Sequence, residues 1–110
     1  MPQPIEIKVF GADQTSIEAT ARRETLEETG WEPGPLRPLV DYFPTNGLTD
    51  QVFHCFLADG ARRVGEPTDA AESERIEWVD LEEVRRIVRD HEMLDGLSLT
   101  AVLFALAHEL

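Results

Sequence analysis

The chain has 110 residues, the length of one small domain, and 42% of them are hydrophobic, an ordinary share for a protein that folds around one modest core. Its formal charge of −12, from 22 acidic and 10 basic residues, excludes the clustered Lys and Arg that nucleic-acid binding by counterion release requires. An acidic chain that takes an anionic substrate needs a cation between the two, so the charge is compatible with a metal site, although charge alone favours plain solubility.

Ile5 to Phe10 alternates apolar Ile5, Ile7 and Val9 with Glu6 and Lys8, which predicts a strand, and no cationic start precedes an apolar run, so no signal peptide is expected. After a loop at Gly11-Ala12-Asp13-Gln14, the capping-box pattern Thr15-Ser16-Ile17-Glu18 starts a helix that runs to Thr29, with Gly30 as its left-handed cap. Pro33, Gly34, Pro35 and Pro38 mark a rigid connection with no room for a helix. Leu39 to Phe43 reads as a strand and Pro44-Thr45-Asn46-Gly47 as a turn-forming loop.

Val52 to Leu57 is apolar on both faces and therefore expected to be a central strand. It contains Cys55, the single cysteine, which rules out an internal disulfide and reads as a small core residue. Gly60 to Ala71 is a polar loop, Arg75 to Val79 a short strand, and Asp80 caps a helix with Val84, Ile87 and Val88 on one face. Leu97 to Leu110 is a last helix, with Ser98 near its cap and a stripe of Val102, Leu103, Leu106 and Leu110. Its apolar run, Ala101 to Ala107, is far too short to span a bilayer, so a cytoplasmic protein without membrane contact is expected. The order of elements gives a single α+β domain over residues 1–110, a sheet with helices on it.

The informative segment is Arg22-Arg23-Glu24-Thr25-Leu26-Glu27-Glu28-Thr29-Gly30. At about 100° per residue, Glu24, Glu27 and Glu28 fall within a sector of about 100° on one helix face, with Leu26 and Ala19 opposite. Like charges at this spacing oppose the helix by roughly a few tenths of a kcal/mol per pair. Arg23 lies at the edge of the cluster, one turn before Glu27, where it can orient a carboxylate. A hard divalent cation is the simplest partner for three carboxylates, and Mg²⁺ the natural one beside a phosphate. From spacing alone a solvated acidic face explains the cluster equally well.

The same stretch resembles the Nudix box of the Nudix hydrolases, G-x5-E-x7-R-E-U-x-E-E-x-G-U with U a bulky apolar residue. Arg23, Glu24, Glu27, Glu28 and Gly30 match its second half, Trp31 fits the final U, and Thr25 stands at the first U. The first half departs: Val9 stands where the box has Gly and Thr15 where it has its first Glu, although Phe10-Gly11 is similar to family variants with Gly-Phe-Gly there. The resemblance implies that Glu24, Glu27 and Glu28 hold Mg²⁺ or Mn²⁺ and that Arg23 holds a carboxylate in place. It implies a Nudix-type α/β/α sandwich with a mixed sheet, its N-terminal strands reduced to one.

Beyond the box, residues 31–58, 74–79 and 95–99 are similar in order and spacing to the ADP-ribose pyrophosphatase branch. That branch has a Ser-Pro-Gly loop where this chain reads Thr45-Asn46-Gly47, and a later loop Glu where this chain has Gln51. Phe10, Gly11, Pro44, Asn46 and Gln51 are the implied substrate contacts. The implied activity is metal-dependent cleavage of the diphosphate linkage of a nucleoside-diphosphate derivative, ADP-ribose or another nucleotide sugar. The alternative is a non-catalytic Nudix-like module that binds a nucleotide or a protein. Glu24, Glu72 and Glu74 are candidates for the general base, of which Glu74 is preferred. With a single strand before the loop, the open sheet edge points to a homodimer. His54, Trp78 and Phe53 read as structural, and His91 and His108 show no ligand spacing.

Overall fold

A computed structural model describes residues 14–68 and 77–110, with side chains from Ile17 onward in the first span. The expected strand Ile5 to Phe10, Val9, Gly11, the candidate bases Glu72 and Glu74, and the start of the Arg75 strand lie outside the described residues. Helix α1 (Gln14–Thr29) is followed by β1 (Trp31–Pro33), β2 (Leu36–Tyr42), β3 (Phe53–Ala58), β4 (Ala61–Arg63), α2 (Leu81–Arg89) and α3 (Gly96–His108). The class is the expected α+β. Thr15 falls inside α1 rather than at its cap, and Glu77 to Val79 are not in a strand. Among the described residues no helix is long and apolar enough to cross a membrane.

The four strands form one long antiparallel ribbon. β2 pairs with β3 from Leu36↔Ala58 to Tyr42↔Phe53, and β1 pairs with β4 from Trp31↔Arg63 to Pro33↔Ala61. These pairings share a register, and the ladder continues across the break, with Gly34 N–H donating to Gly60 O at 2.8 Å and Asp59 N–H to Pro35 O at 3.0 Å. The expected rigid connection is therefore β1 and the start of β2, and the expected loop after Gly60 contains β4. The register shifts between Pro38 and Val40, because Pro38 has no N–H to give the ladder and a bulge absorbs the mismatch. β3, expected to be central, hydrogen-bonds only to β2 among the described residues.

α1 lies across the ribbon. Ile17, Ala21 and Phe56 form the core, with Leu36 packed against them, and Thr25 continues the helix's buried stripe at 3% exposure. The i, i+4 spacing of Ile17, Ala21 and Thr25 puts them on one side of the helix. Ala19, on the far side of the helix from the glutamates as expected, is exposed, and Leu26 is half-buried.

α3 packs on β2 through Ala101 and Ala105, whose small side chains allow close approach. The expected stripe is rotated, since Leu103 and Leu110 are 45% and 41% exposed. Arg37 of β2 pairs with Glu109 at the end of α3. The cap of α3 is Asp95, which accepts from the N–H of Ser98, the residue expected near the cap. Asp80 caps α2 as expected, accepting from Glu83 N–H at 3.0 Å. Val84, Ile87 and Val88 are half-buried, and Arg86 joins Glu83, Asp90 and Glu92. Bonded to Arg86, the Glu83 carboxyl is held below its ordinary pKa.

Candidate functional site

The last two turns of α1 carry the charged cluster. Because Ile17, Ala21 and Thr25 face the ribbon, Glu24, Glu27 and Glu28 fall on a flank where the helix meets the rest of the protein, and all three are half-buried. Arg23 Nη1 lies 3.0 Å from Glu27 Oε1, the i, i+4 contact expected from the sequence. Both groups reach solvent, so the pair aims a carboxylate more than it stabilises the fold.

Both ends of this segment are tied down by main-chain contacts. Arg22 donates through Nη1 to Pro33 O and through Nη2 to Gly34 O, each at 2.9 Å, locking the helix to the ribbon. Thr29 Oγ1 donates to Thr25 O at 2.7 Å and accepts from Trp31 N–H at 3.0 Å. Gly30, at φ +78°, closes the helix with its N–H on Leu26 O at 2.8 Å, the left-handed cap expected there. A Cβ at Gly30 would collide with the carbonyl oxygen of Gly65, so only glycine admits the loop after β4. That loop closes on the helix end. Val64 and Gly65 N–H donate to Gly30 O at 2.9 and 3.2 Å, and Thr68 N–H donates to Glu27 O at 2.9 Å. Sequence reading missed Arg22 and Thr68; their acceptors are backbone carbonyls, which no residue pattern marks.

The remaining candidates are spread out. Pro44, Asn46 and Gln51 belong to the loop at the ribbon tip, opposite the end where α1 meets Trp31. There Gly47 takes φ +95°, Thr45 and Thr49 share a hydroxyl contact of 2.9 Å, and Asn46 and Gln51 are exposed. The fold does not bring this loop to the glutamates. Phe10, Gly11 and Glu74 lie outside the described residues. His54 Nδ1 is 2.9 Å from Asp41 Oδ1 across the β2–β3 ladder, a structural role as expected. Phe53 is in the core, whereas Trp78 is 45% exposed and meets Trp31 edge-on at 4.9 Å. His108 contacts Phe104, and His91 takes φ 63° after α2.

The donor set suits a hard divalent cation, being three carboxylates with oxygen ligands only. Among the described residues, no three acidic, His or Cys side chains already stand close enough together to hold an ion. The three carboxylates thus share one helix flank without forming a closed cage.

A buried stripe that turns Arg-Glu-x-x-Glu-Glu to one flank, closed by a left-handed glycine, is the signature of one domain class. Residues 10–97 match the NUDIX domain family, and the chain belongs to it. It is 40% identical over 77 residues to the CMP-5'-(N-acetyl-N-hydroxy-3-aminopropyl)phosphonate hydrolase of Streptomyces rubellomurinus, covering 70% of this chain and 37% of that one. It is 30% identical over 87 residues to the ADP-ribose pyrophosphatase of Bacillus subtilis, covering 77% and 47%. It is 34% identical over 88 residues to the GDP-mannose pyrophosphatase of Klebsiella pneumoniae, covering 76% and 44%. A second ADP-ribose pyrophosphatase, from Mycobacterium tuberculosis, is 31% identical, which places the chain near that branch of the family. The chain spans less than half the length of these relatives.

Proposed function

We propose that the chain hydrolyses the diphosphate linkage of a nucleoside-diphosphate derivative, ADP-ribose or another nucleotide sugar, with Mg²⁺ or Mn²⁺ held by Glu24, Glu27 and Glu28. The observation that carries this reading is the half-buried flank of α1 on which the three carboxylates share a face while Arg23 braces Glu27 at 3.0 Å. A divalent ion held by Glu24, Glu27 and Glu28 would supply positive charge to neutralise the diphosphate and to lower the pKa of an attacking water. The chain's own part is to keep the backbone that carries the ligands on a helix fixed at both ends, so that binding requires rotation of side chains and not of the helix. Arg23 aims Glu27. A carboxylate takes the proton from the water, a role assigned to Glu74. Phe10, Gly11, Pro44, Asn46 and Gln51 are the proposed substrate contacts, and the working unit is a homodimer in the cytoplasm.

The relatives' names carry CMP, ADP and GDP, which supports a substrate with a nucleotide part and an open choice of base. Asn46 and Gln51 stand at loop positions where the ADP-ribose branch has Pro and Glu. ADP-ribose is therefore expected to lead other nucleotide sugars by less than about a hundredfold in kcat/KM. The test is a panel of nucleotide sugars and dinucleotides with Mg²⁺ or Mn²⁺. A phosphomonoesterase is added, which frees phosphate from the cleaved monophosphates but not from the intact diphosphate. Phosphate release by the wild type that is lost in Glu27→Gln supports the reading. No release from any compound with either ion rejects it in favour of a binding module.

A further inference from the structure

α1 ends where its charge is concentrated, and that end is intrinsically weak. Glu27 and Glu28 lie in the last turn, where the negative pole of the helix dipole disfavours carboxylates, and no basic residue occupies that turn. The last four carbonyls of a helix have no partner within it. Gly30 N–H satisfies Leu26 O locally, but Glu27 O is satisfied from 41 residues away, by the N–H of Thr68 at 2.9 Å. Val64 and Gly65, on Gly30 O, hold the same loop in place. The hydroxyl of Thr68 reaches Glu27 O only at 3.5 Å, the outer limit of a hydrogen bond, so the main-chain N–H is the working group.

We infer that Thr68 is a positioning residue for the carboxylates of α1: its N–H, donated to Glu27 O, keeps the last turn wound and so keeps Glu27 and Glu28 on the same flank as Glu24. The inference rests on the hydrolase reading above. Groups behind a ligand affect ion affinity when they fix its direction, and a backbone bond on the ligand's own carbonyl does so directly. An unwound last turn would turn Glu27 and Glu28 away from Glu24 and leave the ion fewer ligands. The bond thus acts on ion affinity more than on the chemical step.

The test separates the amide from the side chain. Calorimetric titration of the whole chain with Mn²⁺ should show Thr68→Ala, which keeps the N–H, close to wild type, and Thr68→Pro, which lacks it, weaker by about tenfold or more. The Mn²⁺ concentration for half-maximal hydrolysis should rise in parallel, with kcat recovered at saturating Mn²⁺, a split that simple loss of folded protein would not produce. Replacing the Thr68 amide by an ester deletes the N–H without altering the side chain, and gives the same comparison should the proline variant fail to fold. Mn²⁺ affinity equal to wild type in the proline or ester variant overturns the latch while leaving the site reading intact. No Mn²⁺ binding by the wild type overturns both.

Discussion

Glu27 is held twice, by Arg23 at its carboxylate and by Thr68 at its carbonyl, while it shares a helix face with two further glutamates. A protein that needed only a stable helix would gain by replacing one of the three, since each like-charge pair at this spacing costs roughly a few tenths of a kcal/mol. The variant Glu27→Gln should therefore unfold about as easily as wild type, since its pair with Arg23 is exposed, yet bind Mn²⁺ at least about tenfold more weakly. Calorimetry and thermal unfolding on the same samples check both halves, and equal affinity in the two proteins would remove the metal site. These side chains were legible in the sequence because helical periodicity alone places them. Arg22 and Thr68 were not, because their bonds to Pro33, Gly34 and Glu27 depend on where the ribbon and the loop return.

At the scale of elements, α2 shows how strain can sit outside the site. Glu92 N–H donates to Ile87 O at 2.9 Å and His91 N–H to Val88 O at 3.2 Å, a Schellman end with His91 at φ 63°, the position usually given to glycine. His91 is exposed, so the left-handed backbone is not visibly repaid by packing. Replacing His91 by Gly should raise stability by about 0.5–1 kcal/mol, a gain of a few degrees in Tm. A lower Tm would show that the imidazole contributes more than its conformation costs.

The elements most visible in the sequence were those with caps or continuous apolar runs: α1, α2 and β3. β1 was hidden because Pro33, Gly34 and Pro35 read as breakers. In the fold, Pro33 merely ends a strand, and the ladder resumes at Leu36. β4 is Ala61-Arg62-Arg63, too short and too polar to show a period; its register comes from its partner Trp31-Glu32-Pro33, aided by Arg62 on Glu32 at 2.8 Å. In α3 the longer Leu and Val side chains dominated the apparent stripe, whereas contact with β2 selected Ala101 and Ala105.

At the scale of the whole molecule, one feature among the described residues is not accounted for by a single copy. β3 has Phe53, Cys55, Phe56, Leu57 and Ala58 buried and pairs with β2 along one edge. The candidate substrate loop with Asn46 and Gln51 sits at the tip of the ribbon, while the glutamates sit at its base. A two-fold pairing of antiparallel ribbons would answer this, since it sets the tip of each copy beside the base of the other. Leu103 on α3 and Leu110 just beyond it offer additional apolar surface. Each copy carries a charge of −12, so repulsion opposes the contact and should weaken as salt screens it. Light scattering at micromolar concentration should give twice the 12.4 kDa chain mass, with the dimer favoured by added salt and activity per chain falling on dilution. A particle of single-chain mass with full activity across that range would show that each copy completes its own site.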